Sequence, residues 1–341
     1  MDRFDLRRTM AVTNLLQGLS VLVFLLIGDN LILMYCLVLF YSTLDRLYIP
    51  AQSAAVPWLV EKDQLPTANG LFFLTQQASI LIGFGLGGIF VSLIGHTATI
   101  IMSSVFLILA ALAAMGLPGK SPARGIDKKT GFKEFVADIL DGYRLFSTHS
   151  HLKFPFGLIV GLQAYLTVVA VLLPSFTYEA YGLDLNQASS MLIIPGALGA
   201  LMSSFNLPNL LIKYRKKRVI ETGLLLTGLS LLVISTTWFL PHIYRLVLSG
   251  LAAFSLGAGF AAAMIPATTF VQEKTPPEFS GRIYGLLGFF GTIATMVPLM
   301  AAATLADVFG SQAILTTLSL LLLTGFIYVK KKGAVLLNVK D

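Results

Sequence analysis

The sequence predicts an all-α integral membrane protein built by duplication of a helical unit. Three observations predict it: composition, a series of long apolar segments, and an internal repeat. The 341 residues are 56% hydrophobic and only 12% charged, with a mean hydropathy of +0.81. Soluble domains carry about 25% charged residues, so too few charges are present to cover a soluble surface of this size.

Ten segments are long enough to cross a hydrocarbon core, which takes roughly 20 helical residues. They fall near 9–28, 31–56, 68–94, 97–117, 153–177, 188–211, 219–240, 243–271, 284–307 and 311–329. No period-two alternation suggests a barrel, and lipid demands internally satisfied backbone, so each segment is expected to be a helix. Pro50, Pro174, Pro195, Pro266 and Pro298 fall within or near the ends of these spans, where a bundle tolerates kinks.

Basic residues set the orientation. With the N-terminus on the cytoplasmic side, every one of the 24 Lys and Arg falls in an inside segment except Arg46, within a span, and Arg245, outside. The positive-inside rule therefore places both termini in the cytoplasm. The net charge of +7 reads as a topology signal and not as a nucleic-acid footprint. The longest hydrophilic stretch, 118–152, opens on Pro118-Gly119-Lys120-Ser121-Pro122. It continues with Phe132, Phe135, Val136, Ile139, Leu140, Tyr143 and Phe146 at helical spacing, predicting an amphipathic helix on the cytoplasmic face. Four spans precede this linker and six follow. The lone Cys36 sits in an apolar run, and no signal-peptide pattern is present.

The repeat explains the uneven division. Leu15-Leu16-Gln17-Gly18-Leu19-Ser20-Val21-Leu22-Val23 aligns without a gap on Leu225-Leu226-Thr227-Gly228-Leu229-Ser230-Leu231-Leu232-Val233, 210 residues later. The same offset sets Arg7 and Arg8 on Lys217 and Arg218. A second pair supports it: Ile49-Pro50-Ala51 leads to Glu61-Lys62-Asp63, and Ile265-Pro266-Ala267 leads to Glu273-Lys274-Thr275. The later copy of the basic loop has two spans before it and the earlier copy has none. The parent plan is read as six plus six parallel spans, with the first two missing here.

Asp2-Arg3-Phe4-Asp5-Leu6-Arg7-Arg8 resembles the second part of the major facilitator superfamily's signature loop, with Asp5 at the usual glycine position. Pro50-Ala51, Pro57-x-Leu59-Val60 and Leu65-x-x-Ala68-Asn69 are similar to the branch of enterobactin-type and macrolide-type exporters. The corresponding second-half stretch is Pro276-x-Glu278-x-x-Gly281-Arg282. The resemblance implies two parallel six-helix repeats, here the last four helices of the first half (1–117), a linker (118–152) and a complete second half (153–341). It also implies a gating loop comprising Asp2, Arg3, Arg7 and Arg8, with Gly281 and Arg282 in the second half. Positive-inside anchoring accounts for Arg7 and Arg8 equally well.

Asp45 and Arg46 lie near the middle of the second span. A charge at bilayer centre costs roughly 2.5–3.5 kcal/mol even on lenient insertion scales, which makes an intramembrane charge a functional candidate. Adjacent helical residues point about 100° apart, so the two do not simply neutralise each other. Asp45 is the expected protonatable coupling residue, with Arg46, Gln76, Gln77 and Gln163 as further substrate or coupling contacts; helix-to-helix hydrogen bonding is the plainer role for the glutamines. Gly83-Phe84-Gly85-Leu86-Gly87-Gly88 formally matches a dinucleotide fingerprint, but no strand precedes it. It resembles the superfamily's antiporter signature with Phe84 in place of proline, so Gly83, Gly87 and Gly88 are expected to serve helix packing. Asp29, Glu179, Asp184 and Asp307 at the outer ends are expected to be solvated.

No P-loop is present, and no histidine or carboxylate spacing points to a metal, a cofactor or an enzyme's active site. The expected function is secondary active transport: proton-coupled efflux of a small amphipathic, drug- or siderophore-like molecule by a monomer in the bacterial plasma membrane. The alternative is a truncated, non-transporting remnant, or a misassigned start of such a transporter.

Overall fold

A computed structural model describes residues 5–27, 30–80, 82–83, 87–118, 150–182, 189–275 and 280–336. Every long element among them is helical: α1 (Leu6–Ile27), α2 (Leu31–Leu59), α3 (Leu65–Ile80), α4 (Gly87–Met115), α5 (Ser150–Tyr181), α6 (Ile194–Lys213), α7 (Lys216–Thr236), α8 (His242–Lys274), α9 (Ser280–Phe309) and α10 (Ser311–Leu336). Nine stretches among the described residues are long and apolar enough to cross a membrane; α3, at 16 residues, is the short one. The chain is a multi-pass membrane protein. The linker helix expected around 132–146 lies outside the described residues.

The third and fourth expected spans are separated where the sequence put the boundary. Gly95 interrupts α4 with φ +80° and ψ 166°, a conformation that side chains with a Cβ resist. Pro50 and Pro57 lie inside α2, and Pro266 inside α8. Both helices therefore run on past the proline, and their loops begin near 60 and 275.

The helices group into two compact units. The first comprises Met1–Lys62, Leu86–Phe146 and Thr275–Gly288, and the second Asp63–Gly85, Ser147–Lys274 and Phe289–Asp341. In the first, α1 is central and packs on both α2 and α4. Its buried face is unusually polar: Thr13, Asn14, Gln17 and Ser20 are all buried. Thr13 and Ser20 donate back to the α1 backbone. Ser104 of α4 donates to the Gly18 carbonyl at 2.7 Å.

In the second unit α8 is the hub, flanked by α6 and α7, with α5 and α3 also against it and α10 behind α7. Glycines let its backbone touch its neighbours. A Cβ on Gly199 of α6 would stand 1.8 Å from the Phe254 carbonyl oxygen, and one on Gly257 1.8 Å from that of Gly196. Gly223 of α7 meets Ala263 and Gly259 the same way. Apolar lipid supplies no hydrophobic drive for helix association, so close van der Waals approach through small residues carries it.

The repeat register survives in three dimensions. α1 and α7 begin at residues 6 and 216, again 210 apart. Gly18 packs on α4 and its copy Gly228 packs on Leu323 of α10. α1 thus receives α4, and α7 receives α10, at the same residue of the repeat.

Candidate functional site

The basic turn at the start of the chain folds as a capped helix entrance. The Asp5 carboxylate accepts the Arg7 amide at 3.1 Å, satisfying one of the unpaired donors of the first turn. Arg8 stands 3.7 Å from the same carboxylate. A cap explains an aspartate where a glycine is usual. Arg7 donates from Nη1 to the Leu117 carbonyl at 3.3 Å, joining the start of α1 to the end of α4. In the second copy, Lys216 pairs with Glu273 of α8 at 2.5 Å and Lys217 lies 3.8 Å from Glu221. Asp2 and Arg3 lie outside the described residues, and Gly281 and Arg282 fall in the first turn of α9.

Asp45 occupies the midpoint of α2 and is half-buried. Tyr41, one turn before it, and Tyr48, one turn after, share its face and lie within electrostatic reach of its carboxylate. Asn14 of α1, itself 5% exposed, lies within electrostatic reach of the Tyr48 hydroxyl. Asp45, Tyr41 and Tyr48 thus sit near the middle of α2, with Asn14 of α1 close by. Arg46 is exposed and engaged in its own interaction.

The expected glutamines belong to the second unit. Gln76 is exposed and Gln77 half-buried on α3. Gln163 is exposed on α5, its Oε1 only 2.8 Å from where a Cβ on Gly291 would sit, so this glycine leaves room for the amide. Nearby, Phe156 of α5 meets Phe290 of α9 edge-on at 6.0 Å. A Cβ on Gly83 would meet no heavy atom within 4 Å. Gly87 and Gly88 open α4.

Two polar clusters of the second unit were not expected, although Asn69 belongs to the Leu65-x-x-Ala68-Asn69 pattern and Arg245 is the outside basic residue. Asn69 of α3 donates from Nδ2 to Thr269 Oγ1 at 3.0 Å and also to Gln272 Oε1, both on α8. All three side chains are buried, at 5%, 0% and 4% exposure. At the opposite end of α5, the Tyr181 hydroxyl meets Thr237 at 2.9 Å, Ser249 at 2.8 Å and the Ile234 carbonyl at 3.1 Å. Arg245 stacks over the Tyr181 ring and donates to the Ala180 carbonyl at 2.6 Å. Glu179, expected to be solvated, accepts from the Ser311 hydroxyl at 2.7 Å and so ties α5 to α10. A polar residue within an apolar span is a sequence signal for such clusters, but it does not name the partner.

Among the described residues no group of three or more His, Cys, Asp or Glu could hold a metal ion. Packed spans with a few buried polar groups and one carboxylate at mid-helix describe a membrane carrier. Residues 1–299 match the profile of the Major Facilitator Superfamily, and the chain belongs to that superfamily. It is 25% identical over 346 residues to the multidrug efflux pump Tap of Mycolicibacterium fortuitum, covering 96% of this chain and 81% of that protein. It is 24% identical over 327 residues to the uncharacterized MFS-type transporter YkuC of Bacillus subtilis, covering 91% of this chain and 73% of the relative. Among solved structures it resembles the human organic anion transporter MFSD10 with a TM-score of 0.74 at 18% identity, covering 96% of this chain and 80% of that one. It also resembles a bacterial homologue of the iron transporter ferroportin in an outward-facing state, with a TM-score of 0.71 at 15% identity, covering 97% and 84%. At these identities the solved structures speak for the fold alone.

Proposed function

We propose that this protein is a secondary active transporter that exports a small amphipathic molecule across a bacterial plasma membrane in exchange for protons. The observation that carries the reading is Asp45, an ionisable group at the midpoint of a membrane-spanning helix in a chain from a transporter superfamily. Intramembrane carboxylates are costly and mark proton or substrate pathways. The likeness to Tap, a multidrug efflux pump by name, supports export. The segregation of Lys and Arg supports cytoplasmic termini.

In this reading the halves 1–117 and 153–341, joined by the linker 118–152, rock to expose a midplane site to either side in turn. Asp45 exchanges the proton, and Arg46, Gln76, Gln77 and Gln163 contact substrate. The loop Asp2, Arg3, Arg7, Arg8 and the turn at Gly281 and Arg282 gate the cytoplasmic side, and Gly83, Gly87 and Gly88 let helices close. The protein acts as a monomer.

The test is proton-driven flux in proteoliposomes, with Asp45→Asn beside the parent. Proton-coupled flux should fall by about a hundredfold or more, the range for loss of one essential proton-transfer group. Undiminished coupled flux in the variant removes Asp45 from the mechanism.

A further inference from the structure

We infer that the end of the second unit where α5 stops and α8 begins is a binding site for an anionic phospholipid. The Arg245 guanidinium takes the phosphate, and a groove on α8 takes an acyl chain.

Leu240, Tyr244, Val247, Leu248 and Leu251 line a groove of about 340 Å³ whose wall is almost wholly apolar. Spacings of three and four set Tyr244, Val247, Leu248 and Leu251 on one face of α8, and each is exposed. At 1.5 Å per residue this face runs about 10 Å along the helix from its first turn. Just before it, Trp238 and Phe239 are exposed and meet edge-on at 6.3 Å. Tryptophan settles at the headgroup level of a membrane. The groove therefore runs from that level into the hydrocarbon, where an acyl chain is the occupant at hand.

A fixed positive charge stands at the groove's mouth. Arg245 is joined to the lining residue Leu240, whose carbonyl accepts from Nε at 3.3 Å and from Nη2 at 3.1 Å. Nη1 donates to the Ala180 carbonyl at 2.6 Å, and the guanidinium lies 5.7 Å from the centroid of the Tyr181 ring. That ring is itself held, its hydroxyl bonded to Thr237 and Ser249. These bonds leave one N–H free on each terminal nitrogen of a five-donor group whose plane is already set.

Carbonyls satisfy donors without neutralising charge, and among the described residues no carboxylate stands within ion-pair distance of Arg245. Glu179, beside Ala180 in the chain, is engaged by the Ser311 hydroxyl and amide of α10. A half-buried guanidinium with two donors left suits a phosphate, which arginine binds through paired bonds. The first turn of α8, where Arg245 stands, adds the positive end of the helix dipole. Capping carbonyls would account for Arg245 alone, but not for an apolar groove that starts at its own partner. On the proposed topology this end faces outward; the site does not depend on that orientation.

Trp238 can report on the site once Trp58, the other tryptophan, is replaced. The full chain carrying Trp58→Phe is reconstituted in phosphatidylcholine vesicles, and quenching of Trp238 fluorescence is followed as brominated phosphatidylglycerol or brominated phosphatidylcholine replaces the host lipid. Phosphatidylglycerol should reach Trp238 with about fivefold or higher relative affinity, the effect of one basic residue on an anionic lipid. Arg245→Gln should abolish that preference, and Lys331→Gln, in the last turns of α10, should leave it unchanged. Equal quenching by the two lipids, or a preference that survives Arg245→Gln, overturns the site. Val247→Phe fills the groove without touching the charge and should lower the relative affinity of phosphatidylglycerol. It keeps the test open if Arg245→Gln does not fold, and an unchanged affinity in Val247→Phe overturns the site equally. Protection of Trp238 from both lipids, with dimers on cross-linking, would assign the groove to a second copy of the chain and overturn the lipid reading.

Discussion

A missing methyl group decides the closest contacts in the second unit. The Gly199 and Gly257 positions face backbone atoms, which cannot turn aside as a side chain can. Gly199→Ala should therefore push α6 from α8 and lower stability by about 1–3 kcal/mol or more, the cost of overpacking, read as a lower melting temperature in detergent. Gly83→Ala faces open space and should change stability by less than about 0.5 kcal/mol. Gly291→Ala is the informative middle case: its obstacle is the far end of Gln163, which can swing away. Stability should hardly move, while any contact that Gln163 makes with substrate would be lost, seen as reduced flux at unchanged melting temperature. The sequence marks all of these as glycines in apolar spans. It does not distinguish them, because the distinction is made by atoms of another helix.

At the scale of elements, the α3–α8 contact is held by an uncharged clasp. Removing Asn69 leaves Thr269 Oγ1 and Gln272 Oε1 buried as unfilled acceptors. Interhelical hydrogen bonds in membranes contribute about 0.6 kcal/mol on average and up to about 2 kcal/mol. Asn69→Leu should thus destabilise by an amount in that range, and a double-mutant cycle with Gln272→Leu should show the two losses to be non-additive. Strict additivity in that cycle would mean the two residues do not act together. Most helices were legible: the break at Gly95 and the starts of α1 and α7 follow from hydropathy and the repeat, whereas the span expected at 68–94 holds α3 only to Ile80, with α4 opening at Gly87. The clasp was not, since Asn69 and its partners are about two hundred positions apart and nothing local links them.

At the scale of the whole molecule, segregated charge makes a labelling prediction. With Cys36 replaced by serine, a cysteine at Lys62 should react with a membrane-impermeant thiol reagent only when the cytoplasmic side is opened. A cysteine at Pro241 should react in intact cells. The reverse pattern would invert the proposed topology. Sequence alone determined the class of the molecule, the placement of its spans and the duplication, because hydropathy, length and charge are local sums and lipid permits few alternatives to the helix. It also singled out Asp45, because an ionisable group in an apolar span stands out without knowledge of its surroundings. Only the tertiary structure decided that Gly199 and Gly257 are the points of contact and that Asn69 reaches α8. Each depends on how one helix is rotated about its axis against another. A single residue turns that face by about 100°, and apolar spans with weak amphipathic bias leave the rotation to be settled by packing.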